Sequence, residues 1–221
     1  TPTVGAATQI SITTQPVGDT AGALLSTQPV VKVLDSGNNL VTSATTAINV
    51  TSSGGTLGGT QTVDAVNGVT TFTGLTFAGT ASTNYTLTFT TADLGSTISD
   101  DFSVGVGAPT QIIRTTNASG AVYSQDFTTQ PVVEIRDAGN NKVTTATNVV
   151  TATLSSGTIP GTTDTTLTAT AASGVATFSG LGITGTPGDY TITYSSGSLT
   201  TASQSITLIK ANQTITFTDP T

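Results

Sequence analysis

The sequence predicts an all-β protein made of two antiparallel β-sandwiches in tandem, each of about seven strands. The first observation behind this is a repeat. Thr27-Gln-Pro-Val-Val-Lys-Val-Leu-Asp-Ser-Gly-Asn-Asn39 returns about 102 positions later as TQPVVEIRDAGNN, Thr129 to Asn141. The second is alternation with a period of two inside the runs between turn residues, which marks strands with one buried face. The third is composition. Threonine makes up about a quarter of the chain, and Thr and Val favour strands while Gly, Asn and Ser punctuate turns.

Each element follows from its residues. Thr8 to Thr14 alternates Ile10 and Ile12 with Ser11 and Thr13, a first strand, and Pro16 to Ala23 is a Gly-rich loop carrying Asp19. In the repeated strand Val31 and Val33 (Val133 and Ile135 in the second copy) face inward, and Lys32 and Leu34 (Glu134 and Arg136) face a wetter side. Asp35-Ser-Gly-Asn-Asn39 then turns the chain, since Asp bonds its own backbone two residues on and Gly and Asn tolerate positive φ. Ala47 to Thr51 is the next strand, ending at Ser52-Ser-Gly-Gly55. Thr60 to Val66 turns at Asn67-Gly68, a strong hairpin signal, into Val69 to Phe77, with a bend at Gly74. Tyr85, Leu87 and Phe89 point inward from a sixth strand, and Thr97 to Val104 closes the unit.

The second unit repeats the plan: Thr110-Gln-Ile112, Gly174-Val-Ala-Thr-Phe178 and Tyr190-Thr-Ile-Thr-Tyr194 match Thr8-Gln-Ile10, Gly68 to Phe72 and Tyr85 to Phe89. Gly105-Val-Gly-Ala-Pro109 joins the units, so the boundaries predicted are 1–107, 108–208 and a remainder, 209–221. Ile209 to Phe217 alternates again and reads as the first strand of a further repeat or as a tail.

Composition narrows function. The net charge of −7 argues against nucleic acid or anionic lipid as partners. No apolar run approaches the ~20 residues of a membrane span. Charged residues reach only 8%, and hydroxyl-covered faces fit an extracellular β protein. A chain that starts at Thr1 without any Met reads as a piece of a longer secreted protein.

The order TQPVV-x-x-x-D-x-G-N-N, then G-V-x-T-F-x-G-L, then Y-T-x-T-(Phe/Tyr) resembles the bacterial immunoglobulin-like repeats of large surface proteins, the invasin/intimin-type modules and giant-adhesin stalks. The resemblance implies two immunoglobulin-like β-sandwiches. It also implies a stalk that presents a distal binding region from a bacterial cell surface, with neighbouring repeats as partners. Tyr85 and Tyr190 resemble the tyrosine corner of such domains. The disulfide of antibody domains has no counterpart here, and Val31 with Leu87 and Val133 with Ile192 are expected to fill that place as apolar contacts.

The candidate chemistry is sparse. Without His or Cys, Ser-His-Asp and Cys-His arrangements are impossible, and no enzyme is expected. Glu134 sits on an outward face, and Asp100 and Asp101 are expected to point oppositely from one strand. No cofactor is expected apart from calcium. Asp19, Asp137, Asn140 and Asn141 supply the oxygen ligands that this cation prefers, if the first loop of one unit approaches the turn of the next. The alternative is that Asp-x-Gly-Asn-Asn is a favourable turn in both copies, without metal. Internal crosslinks are not expected, because Lys32 faces outward by the alternation and Lys142 and Lys210 fall in a turn and in the tail. Aromatic residues mostly face inward, with Tyr123 and Phe127 the exceptions. Against the stalk stand two other readings: a module that binds a host or surface glycan or protein, and a subunit of a surface layer or filament that uses exposed strand edges.

Overall fold

The computed structural model describes residues 4–212. Contacts divide the chain into two compact units: Thr1–Ala108 together with Asp137–Asn141, and Pro109–Arg136 together with Lys142–Thr221. The division falls one residue later than the sequence suggests, and it counts the second Asp-x-Gly-Asn-Asn turn with the first unit.

The first unit contains β1 (Ala7–Thr14), β2 (Val30–Asp35), β3 (Ala47–Ser52), β4 (Thr56–Gly58), β5 (Thr62–Asp64), β6 (Val69–Thr71), β7 (Thr76–Ala78), β8 (Leu87–Thr90) and β9 (Ser96–Ile98). They form a three-stranded sheet β1-β2-β6, a four-stranded sheet β5-β3-β8-β9 and a small pair β4-β7, all antiparallel. This is the two-sheet arrangement of an immunoglobulin-like sandwich.

The second unit repeats it with β10 (Gln111–Thr116), β11 (Gln125–Asp126), β12 (Val132–Arg136), β13 (Val149–Leu154), β14 (Thr166–Thr170), β15 (Val175–Thr177), β16 (Gly182–Ile183), β17 (Gly188–Ser195) and β18 (Ala202–Leu208). Here the sheets are β10-β12-β15, β14-β13-β17-β18 and β11-β16.

Alternation decides which residues enter each core. Val31, Val33, Leu87 and Phe89 are fully buried in the first, and Val133, Ile135, Ile192 and Tyr194 in the second. Asn67-Gly68 turns with φ of 51° and 75°, and Ser173-Gly174 with 51° and 76°, the left-handed pairs that a two-residue hairpin requires. Val66 and Val69 exchange both hydrogen bonds across the first of these turns, at 2.9 and 3.1 Å.

Two expectations need correction. Val69 to Phe77 is not one strand: β6 pairs with β2, and β7 pairs with β4. The chain changes partners between Phe72 and Leu75, where a period of two says nothing about which neighbour is paired. Asp100 and Asp101 lie beyond the end of β9, and both are exposed. Residues 213–217 of the expected further strand lie outside the described residues.

Candidate functional site

Asp35 ends β2 and is only 3% exposed, so its carboxylate must be satisfied from within. Oδ1 accepts the N–H groups of Gly37 and Asn39, each at 2.9 Å, and the Asn39 amide at 3.1 Å. Oδ2 accepts the N–H of Gly5 at 2.8 Å and again the Asn39 amide at 3.1 Å. Asn38, at φ 62°, turns the chain so that these donors converge. The N–H donors, that of Gly5 first and the Asn39 groups next, hold the carboxyl at a pKa of about 2, below its usual 3.8.

The second turn has the same construction. Asp137 is 0% exposed. Its Oδ1 accepts the N–H groups of Gly139 and Asn141 at 2.9 Å and the Asn141 amide at 3.1 Å. Its Oδ2 accepts the N–H of Gly107 at 2.7 Å and the Asn141 amide at 3.0 Å. Asn140 takes φ 64°. Within the first unit this turn gains two more bonds: Asn141 Nδ2 donates to the Gly79 carbonyl at 3.0 Å, and Asn141 Oδ1 accepts the Ala81 N–H at 2.9 Å.

The calcium candidates are therefore placed as follows. Asp137 turns both oxygens to N–H donors, Asn141 uses its oxygen on Ala81, and Asn140 is exposed at the tip of the turn. Asp19 is exposed and accepts the Thr20 N–H at 2.8 Å. A cation at Asp137 would have to displace donors already at bonding distance. Among the described residues, no group of three or more His, Cys, Asp or Glu is arranged to hold a metal.

Sequence reasoning missed three features. Gly5 and Gly107 anchor the carboxylates, and the signal was the Val-Gly-Ala that precedes both first strands at Val4 and Val106. Gln28 and Gln130, inside the repeated motif, each clamp a neighbouring segment. Gln28 donates to the carbonyls of Leu25 and Leu75 at 3.1 and 3.0 Å and accepts the Leu75 N–H at 3.0 Å. Gln130 does the same to Phe127 and Leu181, at 3.1, 2.9 and 3.0 Å. The third feature is a surface pocket of ≈ 560 Å³ on the second unit, lined by Tyr123, Pro187, Lys210, Ala211 and Asn212. Tyr123 is 43% exposed there, as the sequence suggested, but Phe127 is buried at 3% in the core, in the place held by Leu25 in the first unit.

The tyrosine corners are present in both units. Tyr85 Oη accepts the Thr80 N–H at 2.8 Å, and the Tyr190 hydroxyl donates to the Thr186 carbonyl at 2.8 Å. Glu134 pairs with Arg136 at 2.7 Å, with the Lys142 ammonium 3.9 Å away.

No protein-family profile matches the chain, and no curated protein matches it. Solved structures do. The adhesin InvE of Yersinia pseudotuberculosis is 22% identical, over 90% of this chain and 58% of its own, with a TM-score of 0.35. The Escherichia coli adhesin FdeC is 17% identical, over 95% of this chain and 67% of its own, also at 0.35. A β-glucuronidase of Parabacteroides merdae is 11% identical, over 92% of this chain but 24% of its own, at 0.34. The chain thus spans about a quarter of the glucuronidase and just over half of InvE. Similarity at this level identifies neither family nor activity.

Proposed function

We propose that the chain is a structural spacer of a bacterial cell-surface adhesin, carrying a distal binding region away from the cell. One observation carries this reading: the repeated polar residues are committed to the chain's own backbone. Asp35 and Asp137 each hold a glycine amide ahead of a first strand, and Gln28 and Gln130 each clamp a second segment. Groups used in this way stiffen a module and leave little chemistry for a ligand. The motif order shared with bacterial immunoglobulin-like repeats supports the same reading, with neighbouring repeats as partners and an extracellular location. The pocket with its exposed Tyr123 favours a second reading, a module that binds glycan or protein.

A spacer has to bear tension, so pulling the chain by its ends tests the proposal. The expected record has two abrupt unfolding events, each lengthening the tether by roughly 300 Å at about 3.3–3.6 Å per residue. Gradual extension at low force, without discrete events, would count against a load-bearing role.

A further inference from the structure

We infer that the open edge strand of the second unit, β14, pairs with β14 of a second copy of the chain, antiparallel about a two-fold axis through Thr168. This goes beyond the spacer reading, which needs no lateral partner. β14 ends its four-stranded sheet, with β13 on one side only. In an antiparallel ladder, residues that exchange hydrogen bonds alternate with residues that do not. Leu154 N donates to Thr165 O at one end of the β13–β14 ladder and Ala171 N to Asn148 O at the other, both at 2.9 Å. The register between them is unbroken, so Leu167 and Ala169 take the bonded places. The N–H and C=O groups of Thr166, Thr168 and Thr170 therefore point away from β13, to the open side.

An exposed edge of this kind is a template for another strand unless something blunts it. Other edges are blunted. In the second unit β10 carries a register shift between Arg114 and Thr116, and β18 is covered by the segment 118–122, through Gln204 and the Val122–Ile209 bridge. In the first unit the strand at the place of β14 is β5, three residues long and ending on Asp64. β14 has five residues, with no proline, no charge and no bulge. Net charge follows the same contrast. Residues 109–136 and 142–212 hold four acidic and four basic residues, whereas residues 1–108 and 137–141 hold seven acidic and one basic. Two copies of the second unit therefore meet without net repulsion.

What fits this edge is its own copy. Thr166-Leu-Thr-Ala-Thr170 places threonine at the same positions read in either direction. A two-fold axis at Thr168 sets it against the partner's Thr168, and Thr166 against the partner's Thr170. Each such pair exchanges both backbone bonds, about six in all. The threonine side chains, exposed on the outer face, become cross-strand pairs, and Leu167, half-buried over the core, meets the partner's Ala169 on the inner side. The two four-stranded sheets become one continuous sheet.

The chain has no cysteine, so single thiols on the full chain test the pairing. Thr168→Cys, Thr166→Cys and, on the first unit's edge, Thr62→Cys are treated at equal concentration with a short bis-maleimide, which traps even the brief pairs that so small a contact forms. At the axis the two thiols of Thr168→Cys start from Cα atoms about 5.5 Å apart, while those of Thr166→Cys are offset by about 13 Å along the strands. Thr168→Cys should therefore give crosslinked dimer at least about tenfold faster than either of the others, the ratio that about 1.4 kcal/mol of preference produces. Excess native chain should suppress the crosslink. Excess Thr168→Pro chain should not, because proline removes an N–H that points to the open edge and leaves the β13 ladder whole. Equal rates for Thr168→Cys and Thr62→Cys would mean random collision and overturn the inference. Faster crosslinking of Thr166→Cys overturns the axis at Thr168. Suppression by the Thr168→Pro chain as strong as by the native chain also overturns it, since the contact would then not run through the backbone of β14. Each of these failures leaves the spacer reading standing, because the pulling record tests that separately.

Discussion

Phe89 and Tyr194 occupy the same place in the two sandwiches, and they differ by one hydroxyl. Phe89 packs on Phe72 and Tyr194 on Phe178 with the same geometry, ring centroids 5.5 Å apart and planes at 53°. Tyr194 is fully buried, and its hydroxyl lies 3.4 Å from Gln204 Oε1. Gln204 is held independently, accepting the Ala118 N–H at 2.9 Å and donating to the Ala118 carbonyl at 3.0 Å. Other core positions trade size and shape: Phe77 and Phe102 of the first unit face Tyr85, where the second unit has Ile183 and Ile206 beside Tyr190. Leu25 becomes Phe127 in the opposite sense. The two units share a frame of register, turns and backbone clamps, and within that frame the apolar filling varies so long as volume is roughly kept.

The largest test of that shared frame is to empty it at one point in each unit. Phe72 and Phe178 are each 1% exposed, and Phe72→Ala and Phe178→Ala should each destabilise their own unit by roughly 3–5 kcal/mol in denaturant unfolding. Equal losses sharpen the comparison. A loss below about 1 kcal/mol in one unit would show that its core collapses around the gap and that the two are not equivalent.

Acid offers a smaller and more local probe. The folded pKa of Asp35, about 2, lies below its ordinary 3.8, so the folded state prefers the ionised carboxylate. Its contribution is complete above about pH 4 and disappears as the pH falls through 3.8 towards 2. Exchange of the Gly5 and Gly37 amides, which both donate to this carboxylate, should quicken over that interval beyond the intrinsic pH effect. Asp35→Asn should remove the pH dependence and leave those amides fast throughout. If they stay protected down to pH 2 in the native chain, the turn is not held by its charge.

How much of this could be read from sequence depends on which force places a residue. Burial follows alternation, so Val31, Val33, Tyr85, Leu87 and Phe89 were legible, and Asn67-Gly68 was legible because few residue pairs tolerate two positive φ values. The split of Val69 to Phe77 was only partly so: the buried set slips from Thr70 and Phe72 to Leu75 and Phe77 across Gly74, which marks a bend, but pairing partners are chosen by the whole fold. Phe127 looked outward because its loop has no period to follow. The clamps of Gln28 and Gln130 were visible only as letters in a repeat, since a side chain's target 47 or 51 residues away leaves no local trace. For the turns, Asp, Gly and Asn predicted the bend, but the same residue types also suit calcium. Only the direction of the N–H groups showed what Asp137 faces.

Removing the Tyr194 hydroxyl brings the second core closer to the first. Burial pushes that phenol's pKa up, outweighing the opposite pull of Arg114, so the hydroxyl stays protonated and neutral. Its bond to Gln204 is long, and Gln204 keeps both bonds to Ala118 without it. Tyr194→Phe should therefore shift the second unit by less than about 1 kcal/mol. A larger loss would mean that the hydroxyl orders Gln204 and, through it, the Ala118 loop.

The smallest change expected runs in the stabilising direction and belongs to the first unit. Thr70 on β6 lies opposite Val31, is 0% exposed, and its hydroxyl has no hydrogen-bond partner. At the equivalent place in the second unit, Ala176 lies opposite Val133, with no polar atom to bury. A hydroxyl taken out of water without a partner opposes folding by about 1–3 kcal/mol, part of which its methyl group and its fit to a strand offset. Thr70→Val keeps the branched shape and removes only the unpaired oxygen, so no cavity opens. The first unit should gain up to about 1 kcal/mol, seen as a higher denaturant midpoint with an unchanged slope. Ala176→Thr in the second unit should lose a similar amount by importing the same unpaired group. If Thr70→Val destabilises the first unit, the hydroxyl has a partner in solution, and the two β-strands β6 and β15 differ by more than one side chain.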